Sequence, residues 1–463
     1  MTDAATADLL FRPLLGEARC LLDDDSRARY GTDWTKVWAP APAAVLLPET
    51  IEEVQEIVRI AAASNIPLVP SGGRTGLSAA AVAADAEVVV AFDRMNRILD
   101  YDPYDRAVRI QPGVVTAQLQ EFADQQGLYY PVDFASAGSS QMGGNIGTNA
   151  GGIKVIRYGM TRDWITGLKV VTGTGELLDL NKGLVKNATG YDFRHLFIGA
   201  EGTLGLVVEA TVKLTRKPEN LQVLVLGVPG FRQIMQVLHA FQQKLDLTAF
   251  EFFSDRAMNH VLAHGVPQPF ETRTPFYCLL EFEALSPQTV EDAMALFEHC
   301  VEQEWVVDGV MSQSLQQAQQ LWQLRERISE SISVYTPYKN DIAVTISQVP
   351  DFVEEVDAVV QQNYPDFEII WFGHIGDGNM HLNILKPETL DKEAFFKRCH
   401  DVSRWVFEIV EKYQGSISAE HGVGRTKKDF LSYSRSAEEI ALMKAVKQVF
   451  DPKGIFNPGK IFD

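Results

Sequence analysis

The sequence contains few cysteines, and it lacks the cysteine spacings that bind metals, haem or iron–sulfur clusters. The four cysteines are Cys20, Cys278, Cys300 and Cys399, and no two of them form a CxxC pair. The sequence therefore indicates neither a thiolate zinc site nor a disulfide framework. It also lacks the CxxCH and four-cysteine patterns of haem and iron–sulfur proteins. If the protein carries out redox chemistry, its electrons must pass to another molecule.

Long apolar runs and an excess of positive charge are also missing. No window reaches the roughly 18 to 20 apolar residues that a membrane helix needs. The first residues, MTDAATADLLFRPLL, have no basic cluster before their apolar residues and do not resemble a secretory signal, so we expect a cytoplasmic protein. Lys and Arg number 42 against 61 Asp and Glu, a net charge of −19. This charge argues against nucleic acid as a partner.

The length of 463 residues predicts two to three domains. In the first third, the strand AAVLLP, a helix with a capping box at Thr50 and Glu53, and the strand IPLVP predict a β-α-β unit. After about residue 220, strands such as FYCLLEFEA alternate with amphipathic helices and predict an α+β domain with an antiparallel sheet. We therefore divide the chain into residues 1–219, 220–414 and a short C-terminal segment, 415–463.

Two glycine-rich loops, GGRTG (residues 72–76) and GGNIG (residues 143–147), lie near strand ends. Glycine lets a backbone approach a ligand closely and point successive N–H groups at an anion such as a pyrophosphate. Neither loop is a Walker A motif or a GxGxxG between strand and helix, so a Rossmann fold is not supported. A single loop could be a set of tight turns, but two in one region favour a ligand. The second lies in PVDFASAGSSQMGGNIGTNAGG, which we predict to be a long functional or disordered loop.

The segment WFGHIGDGNMHLNIL (residues 371–385) places His374 and His381 around an Asp-Gly turn. If Asp377 and Gly378 form a two-residue type I′ turn, His374 faces His381 across a hairpin. Facing residues have Cβ atoms about 4.5–5.5 Å apart, a spacing that suits two ligands of one metal ion. The alternative is a pair of histidines packed in a half-buried sheet, and a three-residue turn would break the pairing.

A second polar segment, SISAEHGVG, contains Glu420 and His421. Two imidazoles and a carboxylate suit Zn²⁺ or another first-row divalent ion, so Glu420 is a candidate third ligand. Alone, Glu420 could equally be an ordinary loop residue. Asn383 lies two residues beyond His381 and is therefore expected on the same face of its strand.

Four ordered segments resemble the flavin-binding segments of the FAD-linked oxidase superfamily, which includes vanillyl-alcohol oxidase and p-cresol methylhydroxylase. They are PSGGRTGLSAA, PVDFASAGSSQMGGNIGTNAGG, ATGYDFRHLFIGAEGTLGLVVEA and FDPKGIFNPGKIF. The resemblance implies an α+β fold: a two-part FAD-binding domain of that type and an α+β substrate (cap) domain, with the C-terminal segment completing the flavin and metal sites. The FAD is expected to be non-covalent, because residues 70–78 and 137–151 lack the His or Cys that anchors it in some relatives. The implied FAD-binding residues are Gly72, Gly73, Arg74, Thr75, Gly76, Gly138, Ser139, Gly144, Asn145, Thr148, Gly151, Glu201, Gly205, Val207 and Asn457.

GHIGDGNMHLNIL and ISAEHGVG resemble the metal motifs of the D-2-hydroxyacid branch of this superfamily, and LWQLRERISESISVYTPYKND resembles its substrate-carboxylate segment. Arg325 and Ser329 are i and i+4 and are expected on one helix face. The resemblance implies zinc ligands His374, His381 and Glu420, the base His421, and substrate-binding residues Arg325, Ser329, Lys339 and Asn383.

The implied activity is an FAD- and zinc-dependent dehydrogenase that oxidises D-2-hydroxyglutarate to 2-oxoglutarate, with D-malate as a further candidate. His421 would take the hydroxyl proton while the α-hydride passes to flavin N5. Arg325 and Lys339 favour a diacid over the D-lactate or glycolate of the nearest alternative enzymes. A non-catalytic flavin- or zinc-binding module is the alternative from another class. The resemblance further implies electron-transfer flavoprotein as acceptor and a homodimer.

Overall fold

The computed structural model describes residues 2–463. The chain forms two compact units. The first contains the chain up to Gly151, Met160–Lys217 and Glu420–Asp463, and the second contains Gly152–Gly159 and Pro218–Ala419. These units differ from the division expected from the sequence in three places, the first being that Pro218 and Glu219 belong to the second unit. The short segment Gly152–Gly159 belongs to the second unit, and so do residues 415–419.

The longest strands have eight residues, and they all lie after residue 205. The strands are β1 (Cys20–Leu21), β2 (Ala44–Leu46), β3 (Leu68–Ser71), β4 (Val88–Ala91), β5 (Ile98–Asp102), β6 (Ala107–Ile110), β7 (Leu128–Tyr129), β8 (Ile165–Val171), β9 (Leu177–Leu180), β10 (Leu206–Lys213), β11 (Thr215–Arg216), β12 (Leu221–Val228), β13 (Leu247–Ser254), β14 (Phe276–Glu283), β15 (Asp308–Met311), β16 (Tyr338–Ala343), β17 (Ile369–Gly373) and β18 (Asn379–Ile384).

The helices range from single turns to the 21 residues of the longest one. They are α1 (Ala4–Leu15), α2 (Asp24–Tyr30), α3 (Ile51–Ser64), α4 (Thr116–Gln125), α5 (Met142–Thr148), α6 (Val155–Tyr158), α7 (Thr161–Trp164), α8 (Arg194–Phe197), α9 (Phe231–Gln242), α10 (Asp255–Ala263), α11 (Pro287–Glu302), α12 (Leu315–Glu326), α13 (Ile328–Ile332), α14 (Val349–Asn363), α15 (Lys392–Lys412) and α16 (Ala437–Phe450). Among the described residues, no helix is long and apolar enough to cross a membrane.

After α1, β1 and α2, the first unit contains the predicted β-α-β unit, whose helix α3 begins where Thr50 accepts a hydrogen bond from the Glu53 N–H. Strands β2 and β3 do not pair directly, because each pairs in parallel with β4, which lies between them. One face of α3, with Ile57 and Val58, packs into the core against this sheet. The unit also contains a second sheet, which is antiparallel and has five strands in the order β5-β6-β10-β8-β9.

The prediction of a structureless loop around residues 131–152 is wrong in its centre, where α5 forms. Glycine disfavours a helix by up to about 1 kcal/mol each, so local propensity argues against α5. Packing decides it instead: a Cβ on Gly143 would lie 2.7 Å from Pro112 Cβ. Only glycine lets this helix lie so close to the neighbouring backbone.

The second unit is built on a seven-stranded sheet in the order β15-β12-β14-β13-β17-β18-β16. Its neighbouring strands all pair antiparallel, so the predicted α+β fold with an antiparallel sheet is confirmed. Helices α10, α12 and α13 contribute to a core that includes Phe253, Trp322 and Ile370. The central strand β13 is buried along its whole length.

Candidate active site

A cleft of about 950 Å³, counted to its open mouth, lies in the first unit. The cleft runs from the end of β3 past α5 to the start of β10. Twelve of the fifteen predicted FAD-binding residues line it: Gly72, Gly73, Arg74, Thr75, Gly76, Gly144, Asn145, Thr148, Glu201, Gly205, Val207 and Asn457.

The remaining three predicted residues, Gly138, Ser139 and Gly151, are not among the lining residues. Ser139 supports the cleft from behind, since a Cβ on Gly73 would lie 2.2 Å from the Ser139 carbonyl oxygen. Their assignment as FAD ligands stays a prediction. The sequence reading missed Phe197, which also lines the cleft and lies four residues before the predicted Glu201 in the segment ATGYDFRHLFIGAEGTLGLVVEA.

The glycines of the two loops have two different roles. A Cβ on Gly143 or Gly73 would collide with neighbouring backbone, so these glycines permit close packing. A Cβ on Gly144 or Gly147 would meet nothing within 4 Å. These two glycines line the cleft and leave their backbone open to whatever binds there. This division is what a backbone-built site for a phosphate-bearing cofactor requires.

Two buried amide oxygens give a direct test of whether FAD fits. Asn457 donates from Nδ2 to the carbonyls of Ala80 (2.9 Å) and Glu201 (2.7 Å). Its Oδ1, and Oε1 of Gln141, have no hydrogen-bond partner among residues 2–463. Both side chains line the cleft. Since buried polar atoms are nearly always paired, a cofactor with donor groups fits here.

The Glu201 carboxylate fastens the loop that follows His421. It accepts hydrogen bonds from the N–H groups of Val423 (2.7 Å) and Gly424 (2.8 Å). Burial raises the pKa of Glu201 to about 7, although these two bonds act in the opposite direction. A Cβ on Gly422 would lie 2.9 Å from Glu201 Cδ, so the backbone of this loop packs closely against the Glu201 carboxylate. Within the first unit, these bonds therefore tie the chain just after the predicted base, His421, to Glu201 in the wall of the cleft.

In the second unit, the predicted hairpin turn is wrong in register. Phe372, not His374, lies opposite His381 in the β17–β18 pair. The chain makes a 3₁₀ turn over Ile375–Asp377, and the N–H groups of Asp377 and Asn379 both donate to the His374 carbonyl (3.1 and 3.2 Å). The connection is thus wider than a two-residue type I′ turn.

The wider turn nevertheless brings the two histidines together. The His374 and His381 ring centroids are 5.2 Å apart, and each ring offers a nitrogen within 4.8 Å of the other's. Nδ1 of His374 lies 2.8 Å from Glu251 Oε1, and Nδ1 of His381 lies 3.7 Å from Asp341 Oδ1. Metal-binding histidines are usually oriented by a carboxylate, as Glu251 orients His374 here, so the pair fits a divalent metal ion.

Glu251 is a functional candidate that the sequence reading missed. Its second oxygen, Oε2, lies 2.8 Å from Arg325 Nε, so one buried carboxylate contacts both a predicted metal ligand and a predicted substrate residue. The Arg325 guanidinium also lies over the Phe372 ring, 4.7 Å from its centroid. The signal in the sequence that could have identified Glu251 is an acidic residue in the otherwise apolar strand TAFEFF.

The other predicted substrate residues follow the edge strands. Lys339 pairs with Asn383 across β16 and β18, and Asp341 pairs with His381 two residues along. Because facing residues share a side of a sheet, these four side chains lie on one face. Burial lowers the pKa of Lys339, and Lys339 forms no ion pair among residues 2–463. It is a partly desolvated cation with no anion of its own.

The expected single helix containing Arg325 and Ser329 is divided in two. Helix α12 ends at Glu326, and Ser329 belongs to the five-residue α13. Arg327 lies at the break with φ −81° and ψ −1°. Glu420 and His421 belong to the first unit, and their assignments as metal ligand and base stay predictions.

Two family models match the chain over most of its length. The FAD binding domain matches residues 42–181, and the C-terminal domain of FAD linked oxidases matches residues 217–461. The chain is 68% identical over 463 residues to the D-2-hydroxyglutarate dehydrogenase of Stutzerimonas stutzeri (strain A1501), covering 100% of both chains. The chain belongs to the D-2-hydroxyglutarate dehydrogenase family of FAD-linked oxidases. It is an FAD-dependent enzyme.

Further relatives agree with this family. The D-2-hydroxyglutarate dehydrogenase of Xanthomonas citri pv. viticola is 54% identical over 434 residues, covering 94% of this chain and 92% of the relative. Among solved structures, p-cresol methylhydroxylase with substrate bound has a TM-score of 0.76 at 16% identity, covering 99% of this chain and 97% of that one. The last likeness confirms the fold expected from the resemblance.

Proposed function

We propose that this enzyme oxidises D-2-hydroxyglutarate to 2-oxoglutarate, with D-malate as a second substrate. The observation that carries the proposal is the shared face of β16 and β18, with Lys339 and Asn383 beside His381. A diacid needs a cation for its distal carboxylate, because a buried unpaired carboxylate costs several kcal/mol. Lys339 is the cation in this row without an anionic partner. The two relatives described above are D-2-hydroxyglutarate dehydrogenases, which favours the same substrate.

The metal site would consist of His374, His381 and Glu420. The two histidines supply ring nitrogens, and the hydrogen bond to Glu251 fixes the orientation of the His374 ring. The chain itself supports the third ligand: the Ala419 N–H donates to the Asp341 carbonyl (3.3 Å), and Glu420 is the next residue. Two imidazoles and one carboxylate with open positions suit Zn²⁺. When bound, Zn²⁺ would lower the pKa of a coordinated hydroxyl group.

His421 would accept the proton of the substrate hydroxyl. A neutral imidazole has an ordinary pKa near 6.5, which suits a base at neutral pH. The bonds from Glu201 to the backbone after His421 would hold this loop in place during turnover. Bound FAD would take up the hydride from the α-carbon. The protein's own contribution is to orient the hydroxyl and the α-carbon and to accept the proton.

With FAD bound, the electrons taken from the substrate would pass to a separate acceptor molecule. Electron-transfer flavoprotein is the acceptor that the family resemblance favours. The homodimer and the cytoplasmic location expected from the sequence stay predictions.

The test is anaerobic bleaching of the flavin by single substrates. D-2-hydroxyglutarate should bleach it fastest, D-malate more slowly, and D-lactate, glycolate and the L-isomers least. Metal analysis of the same sample should give about one zinc per chain. Faster bleaching by D-lactate than by D-2-hydroxyglutarate would contradict the diacid assignment. An absence of bleaching by every acid would support a non-catalytic flavin protein.

A further inference from the structure

A run of ten exposed residues, 184–193, lies between β9 and α8. It includes Val185 and Tyr191, whose side chains are 94% and 89% exposed. Val449 of α16 is also exposed, and it directly precedes Phe450, whose ring lies 6.0 Å from that of Phe193. Exposed apolar side chains gathered in one area mark contact sites for other molecules. We call residues 184–193 and Val449 the apolar patch.

A row of aromatic rings connects the flavin cleft with this patch. Phe197 lines the cleft, and its ring centroid is 4.9 Å from that of Phe450. Phe450 lies 6.0 Å from Phe193, and Phe193 lies 6.3 Å from Tyr191. Exposure increases along the row, from the buried Phe197 through Phe193 at 43% to Tyr191 at the surface. The patch is therefore the outer end of a continuous packed path from the cleft.

Residues 182–194, which include most of the patch, carry a net positive charge, opposite to that of the whole protein. Lys182 and Lys186 are exposed and form no ion pair among residues 2–463, whereas Asp192 pairs with Arg194 (2.7 Å). The chain overall carries a charge of −19. A two-fold contact between copies of this chain would place the same lysines against each other. The local charge instead favours a different protein with an acidic contact surface.

We propose that the apolar patch is the docking surface for an acidic electron-carrier protein that reoxidises the flavin. This inference rests on the proposed function. Each turnover moves two electrons from the hydroxyl-bearing carbon to bound FAD. Their transfer one at a time would reduce two molecules of a one-electron carrier, and the two protons released would go to water. The row from Phe197 to Tyr191 shortens the gap that each electron must cross between the cleft and the carrier.

The experiment compares Val185→Asp and Tyr191→Asp with a matched control, Tyr104→Asp. Tyr104 is an equally exposed tyrosine, at 95%, on the β5–β6 turn of the same unit. Electron-transfer flavoprotein serves as the carrier and a small indophenol dye as the alternative acceptor. Three quantities are measured: the Kd of the carrier without substrate, the carrier-dependent rate, and anaerobic flavin reduction by D-2-hydroxyglutarate.

Both patch variants should weaken carrier binding by at least about tenfold, the effect of a residue that matters at an interface. The control should bind normally, and flavin reduction and dye turnover should stay within about twofold of wild type in all proteins. Unchanged carrier binding in both patch variants would overturn the proposal. So would conversion of a dimer to a monomer, because the patch would then be a contact between copies. Failure of wild-type flavin reduction would refute the proposed function alone, since carrier binding is measured without substrate.

Phe193→Leu separates docking from electron transfer. Leucine keeps the apolar surface and removes one ring from the row. Carrier Kd should remain unchanged while the rate at saturating carrier falls severalfold. An unchanged saturating rate would show that the aromatic row does not carry the electrons.

Discussion

The flavin cleft of the first unit and the histidine cluster of the second are built by opposite means. The cleft is formed largely by backbone, with glycines that either permit close packing or face the ligand. The cluster is formed by buried side chains held in position by carboxylates, with Glu251 touching both His374 and Arg325. Backbone donors suit a large cofactor with many acceptor atoms. Side chains in fixed pairs suit a small substrate whose charges must meet particular partners.

The largest expected effect is from His374→Ala. It should abolish flavin reduction by D-2-hydroxyglutarate and leave the protein yellow, because the metal site and the cleft use different residues. His260→Ala is the matched control, since His260 also pairs with a carboxylate, Glu368, at 2.8 Å in the same unit. Chelator treatment of wild type should reproduce the loss, and added Zn²⁺ should reverse it. Full activity in metal-free His374→Ala protein would refute the metal assignment.

Glu251→Gln should have the next largest effect. Loss of a carboxylate that orients a metal-binding histidine typically lowers metal affinity or activity about 10- to 100-fold. Glu283→Gln is the control, because Glu283 is a buried carboxylate on neighbouring β14 that pairs with Arg157 at 3.1 Å. Zinc content and kcat/KM should fall in the first variant and remain near wild type in the second. Equal losses in both would reduce Glu251 to a structural role.

Lys339→Met tests how the cluster selects a diacid. It should lower kcat/KM for D-2-hydroxyglutarate by about 10- to 100-fold, on the order of 1.5–3 kcal/mol for a charged hydrogen bond. D-lactate turnover should change little, since lactate has no distal carboxylate. Arg325→Ala should impair both acids, because it also leaves Glu251 without its cation. Equal losses for both acids in Lys339→Met would remove the physical basis of the diacid assignment.

In the cleft, substitution of a single glycine should act through packing. Gly143→Ala should destabilise the protein by about 1–3 kcal/mol and lower its flavin content, because the new methyl group meets Pro112. In Gly138→Ala the added methyl group would meet nothing within 4 Å, so neither the stability nor the flavin content should fall. The flavin-to-protein ratio and the melting temperature measure both effects. Loss of flavin in Gly138→Ala would place Gly138 at the cofactor, as first expected.

The smallest effect concerns pH. Because burial raises the pKa of Glu201 from an ordinary 4.5 to about 7, the folded protein binds this proton more tightly than the unfolded chain. The stabilisation is complete below about pH 4.5 and is lost as the pH rises through about 7. Relative to Glu201→Gln, which has no charge there, the wild-type melting temperature should fall between about pH 5 and pH 8. A constant or rising difference would contradict this.

The comparison also explains which features could be predicted from sequence. The glycine loops and the β-α-β unit depend on local patterns, and most of the predicted residues from these segments line the cleft. The β17–β18 register was mistaken because one Asp-Gly pair is compatible with more than one turn. The 3₁₀ turn that forms places Gly376 tightly against Phe250, a contact with another strand.

The sequence by itself determined the family, the cofactor class and the residue types of the candidate site, since each is carried by short ordered motifs. Only the tertiary structure decided that Glu251 touches His374, 123 residues away, and that Lys339 lies without an anion beside Asn383. Strand order produces both arrangements: β13 pairs with β17, and β16 pairs with β18. Periodicity along a chain fixes which face a side chain takes, but the partner it meets there depends on which strands pair.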